Sequence, residues 1–351
     1  LLIDNDFSFF DSYRDYASYV TNALDTLEYS YEVWNADEHF GSPQTIPNLE
    51  ELQRFDVIIW LTGDNSHPDG YYVISTPLTG IDLSILGSYL DGGGRLVAIG
   101  QNLAEASDVN PDTNPTWGRA GFYHTYLGAH WLQGNVFEGA GNNNQPPASK
   151  ASVVALPQSF LAGMAFDIGA VGNGAHNQSS VDEIAPGGVQ DGSDIGLVRT
   201  VLMAINAHPE GDGYVGVAKA AEPTLENDAP SLPYRTLYYS FGLEGINDNQ
   251  GQSTRQDFLK QSLAWLRDEV QVNLQDTVGP IHEPFRVAAT ASSSVGAKIV
   301  SYRWLLAENG TTRIVEGSDP SILVTYSDEG NYPIAVEATD ALGHKAVAHA
   351  M

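Results

Sequence analysis

The chain of 351 residues is longer than a single hydrophobic core normally supports, so its length predicts two domains. Its formal net charge of -28, from 44 acidic and 16 basic residues, disfavours nucleic acids and anionic membrane surfaces as partners. The absence of cysteine excludes disulfides, thiolate metal sites and cysteine nucleophiles, and no apolar run approaches the ~18 residues that span a bilayer, so membrane insertion is not expected.

Short apolar segments alternate with helical segments over residues 1–104. This alternation is typical of βαβ units and predicts a doubly wound α/β domain, with a mostly parallel sheet covered on both faces. The strand-like segments are LLID (1–4), YSYEVWN (29–35), DVIIWLTG (56–63) and RLVAIG (95–100), and the helical segments are residues 13–27 and 83–93. Because the sequence begins at Leu1 inside a strand-like run, we expect it to be part of a longer chain.

The sequence changes character after residue 272. Up to that point, residues 151–240 hold the strand-like runs ASVVAL, YVGVAKA and RTLYYSFG, and residues 255–270 form the strongest predicted helix. NLQDTVGP (273–280) has the composition of a linker, and beyond it the pattern predicts only strands and turns. We therefore expect an α/β domain over residues 1–272 and a small all-β, immunoglobulin-like sandwich over residues 276–351.

Polar residues follow three of the predicted strands in the α/β domain. They are Asp4-Asn5-Asp6, Asp64-Asn65 and Gln101-Asn102. In a flavodoxin-like strand order these three strands are neighbours, and ligands of such sheets bind beyond the carboxyl ends of the strands. We therefore expect these side chains to converge at one edge of the sheet.

Several segments carry a resemblance to known families. LLIDND, DVIIWLTGD, GSYLDGGGRLVAIGQN and YRTLYYSFGLEGI are similar to the class I glutamine amidotransferase-like fold. They are most similar to the variant found as an accessory region in secreted subtilisin-like proteases and related bacterial surface proteins. The C-terminal part resembles a PKD domain, because Tyr302-Arg303-Trp304 matches its Y-x-W strand and EGNYPIAVEATDALG (329–343) matches its ending. Trp304 is then expected to be the core tryptophan of the sandwich.

The amidotransferase resemblance also implies where the catalytic residues would lie. The family places a cysteine at the centre of G-x-C-x-G and a histidine with a glutamate in F-H-P-E. In this chain Asn102 stands in place of the cysteine and Gly242 in place of the histidine, while Glu244 is retained. A carboxamide is not a nucleophile near neutral pH and glycine carries no base, so glutamine hydrolysis by the family mechanism is excluded.

Two roles are open for the residues of this degenerate pocket. Asn102 is expected to hydrogen-bond within the tight turn and the first helical turn, as asparagine readily does. The alternative is a ligand-binding pocket formed by Gln101, Asn102, Glu244 and Asn5.

The acidic residues at the sheet edge form a second candidate site. Asp4, Asp6 and Asp64 offer the carboxylate oxygens that calcium prefers, although the sequence has no twelve-residue calcium loop. No motif demands a cofactor, and calcium is the candidate that these residues would bind. The alternatives are solvated turn residues and helix caps, or a carboxylate pair with one raised pKa that activates water.

These features predict a non-catalytic accessory or interaction region of an exported, multi-domain bacterial protein, located outside the cell or at its surface. The resemblance implies a subtilisin-like serine protease as the parent. The expected partners are the protease domain of the same chain and an extracellular protein or polysaccharide. Two rival readings are a metal-assisted hydrolase that uses the acidic cluster and a carbohydrate-binding surface module.

Overall fold

The structure is a computed structural model that describes residues 1–6, 15–39, 41–63, 78–108, 119–138, 152–187, 198–208, 211–220, 234–249, 252–308 and 311–350. The chain divides into two compact units, and the second begins at Arg267. Within the described residues no helix is both long enough and apolar enough to cross a membrane.

The first unit is a mixed α/β structure built on one large sheet. Its strands are β1 (Leu2–Asp4), β2 (Val33–Asn35), β3 (Ile58–Gly63), β4 (Arg95–Gly100), β5 (Ala129–Gln133), β6 (Val153–Ala155), β7 (Ala165–Phe166), β8 (Glu183–Pro186), β9 (Val198–His208), β10 (Gly211–Ala220) and β11 (Arg235–Tyr239). The large sheet has the order β2-β1-β3-β4-β11-β10-β9-β6-β7, and β5 pairs separately with β8.

The sheet has a parallel and an antiparallel half. The five neighbouring strands β2, β1, β3, β4 and β11 pair in parallel. The sheet then continues through β10, β9, β6 and β7 with antiparallel pairs. The predicted neighbourhood of β1, β3 and β4 is confirmed. Every residue of β3 is buried, as expected for a parallel strand that is covered on both faces. The long strand β9 was not predicted from the sequence.

The helices of the described residues connect these strands. They are α1 (Ala17–Thr26), α2 (Leu49–Leu52), α3 (Gly80–Asp91), α4 (Leu103–Asp108), α5 (Arg119–Phe122) and α6 (Arg255–Arg267), with a π-helical turn at Tyr123–Leu127. Helix α3 begins earlier than predicted because Thr79 and Asp82 form a capping box. It ends as predicted at the glycines, where Gly93 has a φ of 88° and its N–H reaches the carbonyl of Leu90.

The second unit is an all-β sandwich. Its strands are β12 (Val270–Leu274), β13 (Phe285–Ser293), β14 (Ile299–Glu308), β15 (Thr311–Gly317), β16 (Ser321–Val324), β17 (Ile334–Asp340) and β18 (Lys345–Ala350). They form one sheet with the order β12-β13-β16 and another with the order β15-β14-β17-β18. Trp304 is 2% exposed and lies in the core of this unit, as predicted.

The boundary between the units differs from the predicted one. The sequence placed it at residues 272–276 and assigned 273–280 to a linker, whereas β12 covers Val270–Leu274 and pairs antiparallel with β13. Alternation of apolar and polar residues in VQVNL fits an edge strand, and it continues the sandwich pattern rather than a linker. The division after Leu266 places β12 in the second unit.

Candidate functional site

The turn between β4 and α4 has the geometry of the strand-to-helix corner that the sequence indicated. Asn102 has a φ of 56° and Gly100 a φ of 152°. A Cβ at Gly100 would lie 1.9 Å from Thr62 Oγ1, so this position requires glycine. The carbonyl of Asn102 accepts the N–H of Ala106 at 3.0 Å and thereby starts helix α4.

The side chain of Asn102 does not cap this helix. Its Oδ1 accepts a hydrogen bond from Ser180 Oγ. The cap comes from Asp182, whose Oδ2 accepts the N–H of Glu105 at 3.0 Å. Asn102 thus starts the helix through its backbone carbonyl, its side chain bonds to Ser180, and the side-chain cap is supplied by a different part of the chain.

Residues 172–182 fold over this corner. Gln101 donates from Nε2 to the carbonyl of Asn177 at 3.0 Å, and its Oε1 accepts the N–H of Ser180 at 3.0 Å. Glu244 Oε1 accepts hydrogen bonds from Asn177 Nδ2 at 2.9 Å and Gln178 Nε2 at 3.0 Å. Gln101, Asn102 and Glu244 are therefore joined in one polar network, and each is 2% exposed or less.

Gly242 borders the same network. Its N–H donates to Gln178 Oε1 at 2.8 Å. A Cβ at this position would lie 1.8 Å from Glu244 Oε1. The space beside the Gly242 Cα is therefore occupied by the Glu244 carboxylate, which Asn177 and Gln178 hold there.

The buried carboxyl groups of this corner are poor sites for charge. Burial raises the pKa of Asp182 well above its ordinary value, and the nearby Glu105 carboxylate raises it further. The side chain of Asn102 contacts the Ser180 hydroxyl, and Gln101 and Glu244 contact the amide groups of Asn177 and Gln178 or backbone groups of residues 177–180.

The predicted acidic site lies at the end of β1. Asp4 and Asp6 are 4% and 0% exposed, and one oxygen of each lies within 4.8 Å of an oxygen of Asp15. Burial and the neighbouring carboxylates raise the pKa of Asp4 to about 7 and that of Asp6 to about 8. Asp64, which the sequence added to this group, lies outside the described residues.

Asn5 lies with the acidic residues of β1. Its Oδ1 accepts a hydrogen bond from Trp60 Nε1 at 3.3 Å, and its N–H donates to the carbonyl of Leu61 at 2.9 Å. Asn5 is 6% exposed. These two bonds join Asn5 to strand β3, whereas the network that joins Gln101, Asn102 and Glu244 runs through residues 177–180.

Sequence reasoning missed three residues that shape these corners. Asp182 lies 77 positions from Glu105, whose N–H it accepts. Gln178 lies 66 positions from Glu244, to which its side chain donates. Asp15 lies nine residues beyond Asp6 along the chain. Only Asp15 had a usable signal, as an acidic residue in the first turn of the helix predicted over residues 13–27.

Comparisons with known proteins identify the second unit. Residues 269–349 match the family model described as PKD domain. The search of curated proteins found no significant match. Among solved structures, the chain is similar to a cytoplasmic protein, STM3548 from Salmonella typhimurium, at 13% identity and a TM-score of 0.39 over 71% of this chain and 86% of that one. A similarity at that level carries no inference about function. Residues 269–349 thus form a PKD domain, a module typical of extracellular accessory and interaction regions.

Proposed function

We propose that this chain is a non-catalytic accessory and interaction region of an exported multi-domain protein. The observation that carries the proposal is the β4–α4 corner. It keeps a strand-to-helix turn with a left-handed residue, but an asparagine stands there and residues 172–182 bury it. The PKD domain adds support, because such modules serve attachment and spacing outside the cell.

The parent of this region is proposed to be a subtilisin-like serine protease. This step rests on the resemblance of the first unit to the accessory regions of such proteases. It makes the protease domain the intramolecular partner, and an extracellular protein or polysaccharide the external one. The sequence of the intact gene product tests it, since an Asp, His and Ser triad elsewhere in that product is expected.

A hydrolysis assay tests the absence of catalysis. The full chain is incubated with glutamine and with a peptide library, beside the Asn102→Ala variant as the matched control. We expect no turnover that distinguishes the two proteins, because the Asn102 carboxamide is not a nucleophile near neutral pH. Turnover that is present in the wild type and lost in Asn102→Ala contradicts the proposal.

A binding assay tests the interaction role. The labelled full chain is applied to a glycan array and to immobilised extracellular matrix proteins, with Asn102→Ala again as the control. Binding that survives the Asn102 substitution is expected, because the interaction is assigned to the surface and not to the buried corner. Loss of binding in that variant assigns the ligand to the degenerate pocket and contradicts this assignment.

A further inference from the structure

The end of β1 lies where the connections of the parallel sheet change direction. From β1 the chain runs to β2 on one side, and from β2 it returns to β3 on the other side. In open α/β sheets this switch point opens a crevice beyond the carboxyl ends of the strands, and ligands bind there. Asp4 ends β1, and Asp6 follows it at this point.

Three carboxylates meet at this corner. One oxygen from each of Asp4, Asp6 and Asp15 lies within 4.8 Å of the other two. Asp4 and Asp6 are buried, whereas Asp15 is exposed and opens the cluster to solvent. Asp37, which is also buried, adds negative potential at Asp4 and Asp6.

A second observation at Asp4 also points to a bound ligand. Its Oδ1 is buried and has no hydrogen-bond donor among the described residues, in a side chain that is 4% exposed. A buried carboxylate oxygen normally accepts a hydrogen bond or binds a cation, because its loss of hydration is otherwise uncompensated.

The two other carboxylates have local partners that explain part of their placement. Asp6 Oδ2 accepts the N–H of Tyr16, and Asp15 Oδ1 accepts the N–H of Ala17 at 3.2 Å. These bonds order the start of helix α1. They do not account for the buried oxygen of Asp4.

We propose that Asp4, Asp6 and Asp15 bind a hard divalent cation, with Ca²⁺ as the first candidate. Ca²⁺ accepts carboxylate oxygens at about 2.3–2.6 Å in flexible geometry, so oxygens up to ~4.8 Å apart can share one ion. Mg²⁺ requires shorter distances of about 2.1 Å and retains more of its waters. The net charge of -28 raises the local concentration of cations around the protein and favours occupancy.

Calorimetric titration of the full chain tests the proposal. The protein is stripped with EDTA, desalted, and titrated with CaCl₂ and separately with MgCl₂. Asp15→Asn keeps the Oδ1 atom that accepts the Ala17 N–H but removes the charge. Asp25→Asn is the control, because it removes one charge from an exposed residue of helix α1, which follows Asp15.

We expect saturable Ca²⁺ binding that is weakened about tenfold or more by Asp15→Asn, because ligand charge sets calcium affinity, and that is unchanged by Asp25→Asn. Thermal denaturation of the wild type is expected to shift upward with added Ca²⁺. Saturable binding of Mg²⁺ with no binding of Ca²⁺ overturns the choice of ion. Equal affinities in the two variants overturn the site itself.

A second measurement needs no variant. Tb³⁺ is added to the wild-type chain and its luminescence is excited through Tyr16 and Trp60, which contact Asp6 and Asn5. Sensitised emission that Ca²⁺ displaces is expected. Failure of Ca²⁺ and Mg²⁺ in the millimolar range to displace Tb³⁺ or to produce heat in the titration overturns the proposal.

Discussion

Asn102 holds a backbone conformation that few residues adopt without cost. Its φ of 56° lies in the left-handed region, where asparagine is one of the residues that the backbone tolerates best after glycine. Asparagine therefore suits this left-handed turn. The sequence predicted the turn, since glycine and asparagine act locally, but it had no means to predict the partner Ser180, which lies 78 positions away.

Gly242 is the residue whose replacement tests the packing of this corner. We expect Gly242→Ala to destabilise the first unit by about 1–3 kcal/mol, because the new methyl group must displace the Glu244 carboxylate and break its bonds to Asn177 and Gln178. Hydrogen exchange of peptides that cover residues 174–182 and 241–247 measures the loss.

Gly121→Ala is the matched control for this substitution. Gly121 lies on α5, is exposed, and has nothing within 4 Å of the position of a Cβ. It is expected to leave stability unchanged or to raise it slightly, because alanine restricts the unfolded chain. If Gly242→Ala is as stable as Gly121→Ala, the Glu244 carboxylate moves away from the new methyl group without a measurable cost in stability.

At the scale of elements, the local signals in the sequence predicted more than the distant ones. Strand β4 has the predicted bounds, and α3 ends at the predicted glycines. The errors lie where distant segments decide the structure. The VRTVLMAINAH segment becomes β9 because β10 and β6 pair with it on either side, and such pairing is not visible in local propensity.

Helix α4 shows the same limit at its first turn. The sequence predicted that Asn102 hydrogen-bonds within this turn, whereas the side-chain cap in the structure is Asp182, which accepts the Glu105 N–H from 77 positions away. A cap supplied by a side chain from outside the helix leaves no local pattern such as S/T-x-x-E to recognise.

Asp182 therefore offers a test at the level of the helix. We expect Asp182→Ala to destabilise α4 by about 1–3 kcal/mol, because the N–H of Glu105 loses its buried acceptor. Asp182→Asn keeps an oxygen acceptor and is expected to cost less, since burial already raises the pKa of Asp182 and disfavours its charge. Hydrogen exchange of α4 amides measures both, and a larger loss for asparagine than for alanine would contradict this account.

At the scale of the whole molecule, the second unit contains a carboxyl pair that links its stability to pH. Asp268 and Asp340 are 0% and 1% exposed and hydrogen-bond to each other. Burial, the hydrogen bond to Asp268 and its negative charge raise the pKa of Asp340 to about 7. Although burial opposes it, hydrogen bonds from Asp340, Ser293 and the Val295 N–H lower the pKa of Asp268.

The raised pKa of Asp340 sets the sign of the pH dependence. Its pKa in the unfolded chain is near 3.8, so between about pH 4 and pH 7 the folded domain holds a proton that the unfolded chain has released. The contribution of this group to stability therefore falls as pH rises through that window, and is constant above it. The loss is on the order of a few kcal/mol.

Asp340→Asn is expected to flatten this dependence. The amide can still donate to Asp268, but it does not titrate. Hydrogen exchange of β14 and β17 peptides at pH 5 and pH 8, corrected for intrinsic rates, measures the effect, with the exposed Glu329→Gln as control. A wild-type domain with the same stability at both pH values would contradict the raised pKa of Asp340.

The position of the domain boundary also follows from β12. This strand pairs with β13 from Val270 opposite Ser293 to Leu274 opposite Ala289, and Leu274 belongs to the same core as Trp304. The family match begins at residue 269, just before the strand. A fragment cut at the boundary predicted from sequence, residue 276, lacks both Asp268 and the whole of β12.

We expect residues 267–351 to fold by themselves and to unfold cooperatively, because their described part has its own core and both sheets of the sandwich. Residues 276–351 should unfold roughly 10 °C or more below the longer fragment, because the loss of a paired strand costs several kcal/mol. In a domain of this size, each kcal/mol shifts the unfolding midpoint by about 4–8 °C. Circular dichroism of the two fragments during heating measures the difference. Equal midpoints would mean that β12 contributes nothing to the sandwich and that the domain begins where the linker composition first placed it.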